Sequence, residues 1–375
     1  MKSPAFLSFL CAAGAAAFLG AASADDSESA AAPASAAHMS IHDTVGRAGM
    51  AAVLLPADDH HPNVVLLAGG ANFPHAKPGA KTPEERGEKV FYSEVEALQH
   101  RGHGQPKPQR VVADLPRPVA YAAFAPTKRG MLVAGGCNAE GHTAKASCVD
   151  FVENELRMLT LPDLPRTLAY PAFAVVDNKV YVMGGQERAD STTCLNSCYM
   201  LDLNDTNAGW KEMSPMPSAR MLAAAGVVDG VVYVMGGCSL APDAQGNAQR
   251  TYLKDVLCYD PGSNTWAKVG TEMPETNVGM ANPLPVIGDK LYVVGGDPGN
   301  YYRASLEGNA PAEHPGQSKA VYSYTPSTGE WKLVGELPIG VATMPAVVMG
   351  SVICTISGET HPGVRTPLII PIKMN

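Results

Sequence analysis

Val231-Val-Tyr-Val-Met-Gly-Gly237 is an apolar run stopped by two glycines, and the chain keeps returning to it. Val64-Val-Leu-Leu-Ala-Gly-Gly70, Met131-Leu-Val-Ala-Gly-Gly136, Val180-Tyr-Val-Met-Gly-Gly185 and Leu291-Tyr-Val-Val-Gly-Gly296 share the pattern; Val352-Ile-Cys-Thr-Ile-Ser-Gly358 is a degenerate sixth copy. The parts around each run recur in one order. A Pro-containing link (Leu115-Pro-Arg-Pro, Leu164-Pro-Arg-Thr, Met216-Pro-Ser-Ala-Arg, Leu337-Pro-Ile-Gly) precedes a strand of small apolar residues. A turn such as Val228-Asp-Gly-Val or Ile287-Gly-Asp-Lys then leads into the Gly-Gly strand. A third strand follows (Val256-Leu-Cys-Tyr-Asp260, Val321-Tyr-Ser-Tyr-Thr325), and after another turn a fourth bearing Trp210, Trp266 or Trp331.

Four strands per copy, with Gly-Gly after the second and Trp on the fourth, resemble the kelch repeat, and six copies predict an all-β, six-bladed kelch-type β-propeller over residues 38-375. The tryptophans are expected to pack between blades. Blades one and five carry the longest inserts, Phe73 to Lys89 and Pro298 to Ser318. The sixth copy ends after a third strand, Thr366 to Lys373, so the segment near His38 to His42 is expected to supply the outer strand of blade six and close the ring without an open sheet edge.

Residues 1-24 read as a signal peptide: Lys2 supplies charge, Ala5 to Leu19 is a short apolar core, and Ala22-Ser23-Ala24 fits a small-x-small cleavage site. Residues 25-37 are an Ala/Ser/Pro linker. The expectation is an exported protein, periplasmic or secreted, with no membrane anchor because no apolar run reaches about 20 residues. A net charge of −8 argues against a nucleic-acid partner. Position pairs Cys137 with Cys148 and Cys238 with Cys258 as possible hairpin disulfides in an oxidising compartment. Cys194 and Cys198 could pair only through a local turn, and Cys354 reads as a buried thiol. No metal-ligand spacing stands out among the histidines and cysteines.

In a blade the first strand starts, and the second ends, on one face of the disc. That mouth should gather the residues after each Gly-Gly (Asn72, Asn138, Gln186, Ser239, Asp297 and Glu359) and those opening each first strand (Arg47, Arg117, Arg166, Arg220 and Asn277). Four arginines at equivalent positions would make a positive funnel suited to a carboxylate or phosphate. Against this stands pairing of each arginine with a nearby acid. Glu359 and Arg365 bracket the His361-Pro-Gly363 turn of blade six on the same face; taken alone they are a surface ion pair, and beside the arginines they are a candidate site. His361 is expected to ride exposed on the turn.

Ala68-Gly-Gly-Ala-Asn-Phe-Pro74, Asp114-Leu-Pro-Arg-Pro-Val-Ala-Tyr121, Pro165-Arg166 and above all Ser357-Gly-Glu-Thr-His-Pro-Gly-Val-Arg-Thr366 resemble the cyclically permuted mutarotases, the N-acetylneuraminate epimerase family of kelch propellers. The resemblance runs from about Ile41 onward. The chain looks like a circular permutation of the characterised epimerase, and Val119 stands where that enzyme has an arginine. The resemblance implies that Glu359 and Arg365 are the catalytic pair and that Arg166 matches a family arginine. It implies interconversion of sialic acid anomers, with Glu359 shuttling protons and Arg365 anchoring the substrate's carboxylate or developing oxyanion, and with no cofactor. The partner expected is an acidic small-molecule sugar, held also by Arg47, Asn72, Arg117, Arg166, Gln186, Arg220 and Asp297. A non-catalytic kelch propeller binding an acidic glycan or a protein is the alternative reading.

Overall fold

The computed structural model describes residues 39–40, 46–57, 63–76, 83–99 and 109–374. The expected signal peptide and linker lie outside the described residues. Six antiparallel sheets stand around an axis as the blades of a propeller. Blade one runs Ala48–Leu55, Val64–Asn72, Glu94–Gln99 and Gln109–Asp114; blade two runs Ala123–Pro126, Gly130–Ala134, Ala146–Val152 and Glu155–Leu161. Blade three comprises Ala172–Val176, Lys179–Met183, Cys198–Asp202 and Lys211–Met213, and blade four Ala224–Val228, Val231–Met235, Val256–Asp260 and Thr265–Lys268. Blade five comprises Val286–Ile287, Lys290–Val294, Ala320–Thr325 and Glu330–Glu336. Blade six takes Ala346–Met349, Val352–Ile356 and Leu368–Lys373 from its own repeat and Met39–Ser40 from the N-terminal side, with Met39 opposite Ile369 and Ser40 opposite Leu368. The ring therefore closes as the strand count requires.

Local chemistry explains the hairpins. Asp177-Asn178, Asp229-Gly230 and Glu153-Asn154 all hold positive φ, the two-residue turn whose twist matches antiparallel strands. The first strands crowd the axis and are built from small side chains, with Ala48, Ala123, Ala172, Ala224 and Ala225 all buried. Larger side chains fill the spaces between blades. Trp210 and Trp266 each donate their indole N–H to a carbonyl of the preceding blade's exit, Pro162 at 2.8 Å and Ser214 at 2.7 Å. Trp331 stacks on Tyr324 of its own blade at 4.6 Å between ring centroids.

The glycine pairs do two separate jobs. The second glycine of each pair donates its N–H to the residue that opens the next blade: Gly70 to Val119, Gly136 to Leu168, Gly185 to Arg220, Gly237 to Asn277, Gly296 to Val341 and Gly358 back to Arg47, at 2.8–2.9 Å. The first glycine lies against that same carbonyl with positive φ, so a Cβ there would press into it. In blade six Ser357 takes this place at φ 60°, and its hydroxyl, which accepts the Arg47 N–H at 2.6 Å, lies 2.8 Å from the Arg47 carbonyl. A second ring of backbone bonds encircles the axis. Tyr121 donates to Gly49, Tyr170 to Tyr121, Leu222 to Tyr170, Gly279 to Leu222, Thr343 to Gly279 and Gly49 to Thr343, at 2.5–3.0 Å.

The cysteine pairings do not form: Cys137, Cys148, Cys238 and Cys258 are free thiols. Cys148 sits opposite Leu132 and Cys258 opposite Tyr233, each five residues short of Cys137 and Cys238. At about 3.3 Å per extended residue that offset exceeds disulfide reach. Cys194 and Cys198 are also unpaired, and Cys354 is buried.

Gly135→Ala, which places a Cβ 2.6 Å from the Leu168 carbonyl at φ 68°, is expected to lose more than about 2 kcal/mol in urea unfolding. Gly209→Ala has nearly the same φ, 72°, and no atom within 4 Å, so it should lose only about 1 kcal/mol. Equal losses would contradict the inter-blade role of the pair.

Candidate active site

Register decides which residues reach the mouth. The residue directly after each Gly-Gly bridges the first strand of its own blade: Ala71 with Ala48, Cys137 with Ala120, Gln186 with Ala169, Cys238 with Met221, Asp297 with Val278 and Glu359 with Ala342. These six are the true equivalents. Gln186, Asp297 and Glu359 line the mouth cavity. Asn72, Asn138 and Ser239 lie one residue further on, which in extended backbone turns the side chain to the opposite face. Asn72 instead accepts the Phe73 N–H at 2.6 Å and stays out of the cavity wall.

The arginines are corrected in the same way. Arg47 and Arg220 open their blades, at the position held elsewhere by Val119, Leu168, Asn277 and Val341, each of which accepts the glycine bond described above. Arg117 and Arg166 lie two residues earlier, directly after the link proline, so the four are not equivalent. Nor do they form a funnel. Arg220 is 1 % exposed, grips Asp255 through both terminal nitrogens at 3.0 and 2.9 Å, and donates to the Gly236 carbonyl. Arg47 is buried likewise, bonded to Glu94 at 2.8 Å and to the Gly69 carbonyl, with its guanidinium over the Tyr92 ring. Asn277 donates to the matching carbonyl of Gly295. These side chains tie the glycine turn to the third strand within a blade. Arg117 donates to the Lys145 carbonyl at 2.8 Å, and Arg166 is exposed, 3.9 Å from Glu187. None of the four lines the cavity.

Glu359 and Arg365 do meet. They sit directly opposite one another across the Glu359–His361 and Val364–Arg365 hairpin, carboxylate against guanidinium. The Glu359 side chain is 18 % exposed and Arg365 only 4 %. The Arg365 guanidinium lies 5.3 Å from the Phe73 ring centroid, and its charge acts on the nearby Tyr121 hydroxyl. Arg365, almost wholly buried, holds the Glu359 carboxylate in place. Burial pushes the Glu359 carboxyl above the usual range; Arg365, Lys89, the Gly363 N–H and Arg86 pull against that shift. Burial also pushes the Tyr121 hydroxyl up to about 12, so it stays protonated.

The blade-one insert supplies what surrounds the pair. Its helix Pro83–Arg86 brings the Arg86 stem across Gly363, where a Cβ would lie 2.5 Å from Cδ. Lys89 places its ammonium 4.8 Å from the Tyr121 ring centroid. The rest of the cavity, about 640 Å³ and within the usual range for a small-molecule site, is walled by Tyr121, Tyr170, His142, Arg250 and Gln317. Arg250 lies on Ala248–Tyr252, the returning strand of a blade-four hairpin begun by Cys238–Pro242. Its backbone N–H donates to the Tyr302 hydroxyl at 3.0 Å, and two residues on the Tyr252 hydroxyl donates to Asp297 at 2.9 Å. The blade-five insert completes the rim, with Tyr302 against Tyr252 and the Gln317 N–H on the Thr360 carbonyl. His361 is exposed on its turn.

Tyr121, Tyr170 and Arg250 line the cavity though the repeat pattern did not single them out, and Lys89 stands over the Tyr121 ring. For the tyrosines a signal existed: Val119-Ala-Tyr121 and Leu168-Ala-Tyr170 occupy one repeat position, the axial ring. Lys89 and Arg250 sit on inserts that no repeat pattern places.

The comparison with a known family falls on the middle blades. The model of the N-acetylneuraminate epimerase family matches residues 161–321. The chain is similar to the N-acetylneuraminate epimerases. That of Haemophilus influenzae (strain PittEE) is 32 % identical over 189 residues, 45 % of this chain and 49 % of the relative. That of Escherichia coli (strain K12) is 28 % identical over 196 residues, 46 % of this chain and 51 % of the relative. The matches thus span about half the length of these relatives. A solved structure of YjhT is 26 % identical with a TM-score of 0.48, covering 57 % of this chain and 65 % of that one. The family resemblance read from the sequence motifs agrees with these matches. The family model takes in Arg166, Gln186, Arg220 and Asp297 and stops before Glu359 and Arg365.

Removing Arg220 strands Asp255 without its buried partner, so Arg220→Ala should cost about 3 kcal/mol or more of unfolding free energy. Arg166→Ala, at an exposed and loosely paired position, should stay within about 0.5 kcal/mol. A chemical denaturation comparison checks both; equal stability of the two variants would contradict the structural role given to Arg220.

Proposed function

We propose that this protein is a mutarotase of an N-acetylneuraminate-type sugar, acting outside the cytoplasm as the Met1 to Ala24 stretch leads one to expect. The observation that carries the reading is the Glu359 carboxylate, held opposite Arg365 at the wall of a sugar-sized cavity and still reachable from it. The similarity to proteins named N-acetylneuraminate epimerase supports the substrate class.

The chemistry needs one proton carrier. Glu359 takes the proton from the anomeric hydroxyl, the bond from the anomeric carbon to the ring oxygen breaks, and a carbonyl forms at that carbon. The ring oxygen receives a proton, which Glu359 can return. Rotation about the bond to the former anomeric carbon presents the other carbonyl face, and the same steps in reverse close the ring. A carboxyl with a raised pKa suits both directions, because its acid and base forms lie closer in energy near neutral pH. Arg365 fixes the carboxylate's orientation.

Proton NMR of freshly released α-N-acetylneuraminate should show equilibration to the β-anomer accelerated by the protein. Glu359→Gln should lower that rate at least ~100-fold, the usual worth of a positioned acid–base group. Because the reaction starts from the ionised carboxylate and burial raises its pKa, the rate should fall as pH drops through a value above the ordinary Glu range, and level off above it. Wild-type protein that binds the sugar but leaves the anomer exchange rate untouched would defeat the proposal.

A further inference from the structure

We infer that Lys89 pairs with the substrate's carboxylate and makes the site selective for sugars that carry a carboxylate at the reacting carbon. This rests on the mutarotase reading and gives one residue of the same site a role. The geometry is that of a cation without a counter-ion. Lys89 is half-buried, and among the described residues no carboxylate lies within ion-pair distance of its ammonium. The group stands instead over two aromatic faces, 4.8 Å from the Tyr121 ring centroid and 5.1 Å from that of Phe91. Half-burying an ammonium with only ring faces for company is unfavourable unless an anion completes the site.

The neighbours cannot serve as that anion. The nearby acid, Glu359, is committed to Arg365, so the pair carries no net charge. Burial draws the Lys89 pKa down, as does the charge of Arg365, while Cys137 and Glu359 act in the opposite direction. An incoming carboxylate would restore what burial removes. The position is also right for this chemistry: Lys89 lies over the ring of Tyr121, Tyr121 and Glu359 line the same cavity, and the charges of Glu359 and Arg365 both act on Lys89. A carboxylate attached to the anomeric carbon is a single bond from the atom on which Glu359 works. Other cations are less well placed: Arg47 and Arg220 are paired within their blades, and the charge of Arg250 acts on Tyr252 beside Asp297.

The test compares N-acetylneuraminic acid with its methyl ester, which is neutral at the same atoms, using exchange NMR for rates and calorimetry for binding. Wild-type protein should prefer the acid over the ester by roughly 10- to 100-fold in kcat/KM, the worth of one charge-assisted contact. Lys89→Gln should lose that preference, chiefly by raising KM for the acid, and Lys89→Arg should keep most of it. A Lys89→Gln variant that melts with wild type yet still favours the acid overturns the inference. So does one that loses kcat with the preference intact, which would make Lys89 a proton donor. If wild type exchanges neither sugar, the mutarotase reading falls separately, and calorimetry still decides Lys89: equal binding of acid and ester overturns it, and an acid preference lost in Lys89→Gln upholds it. Should Lys89→Gln fail to fold, Lys89→Met is read by the same comparison.

Discussion

The structure depends on a backbone hydrogen bond repeated six times, from the second glycine of each pair to the carbonyl that opens the next blade. Each bond contributes about 1 kcal/mol on its own, but together they set how close neighbouring blades come. The closeness is what demands glycine: at the first position of each pair positive φ and an adjoining carbonyl leave no room for a side chain. The one exception shows the rule, because Ser357 turns its hydroxyl onto the very carbonyl its Cβ crowds. The ring closes on Arg47, so the N-terminal and C-terminal repeats are joined by this bond as well as by the Met39–Ser40 strand.

From that constraint the mouth follows. A chain leaving the glycine pair places its next side chain beside the axis, and six such positions hold one alanine, Ala71, two thiols, Cys137 and Cys238, and the polar trio Gln186, Asp297 and Glu359. Buried arginines belong to the scaffold. Arg47 and Arg220 cap the carbonyl of the first glycine while an acid at the third strand balances their charge. Buried pairs of this kind stabilise little over an apolar alternative, yet losing one partner is costly. Arg365 differs in what faces it, since its carboxylate partner opens onto the cavity.

Much of this was legible in the residues. The repeat, the four-strand order, the strand-swapped closure and the placement of Glu359 and Arg365 on one hairpin all follow from local pattern, because turn chemistry and alternation act over a few neighbouring residues. Sequence pattern and structure part at offsets of one or two residues: Ala71, not Asn72, holds the position after the glycine pair, and Val119 and Leu168, not Arg117 and Arg166, open blades two and three. In extended chain one residue is the difference between facing the mouth and facing away. The cysteine pairings failed for a related reason: proximity along a hairpin does not survive a five-residue shift in register.

The sequence by itself determined a six-bladed propeller with a carboxylate and a guanidinium opposed near one end, since periodicity and glycine placement are local and repeated. Only the tertiary structure decided which charges face the cavity. It buried Arg47 and Arg220 in ion pairs, left Arg166 at the surface, set Lys89 over the Tyr121 ring on the blade-one insert, and put Arg250 in the cavity wall on a blade-four hairpin. An insert's resting place is set by the blades it packs against, far away in the chain, and a side chain's electrostatic role is set by which partners burial leaves it.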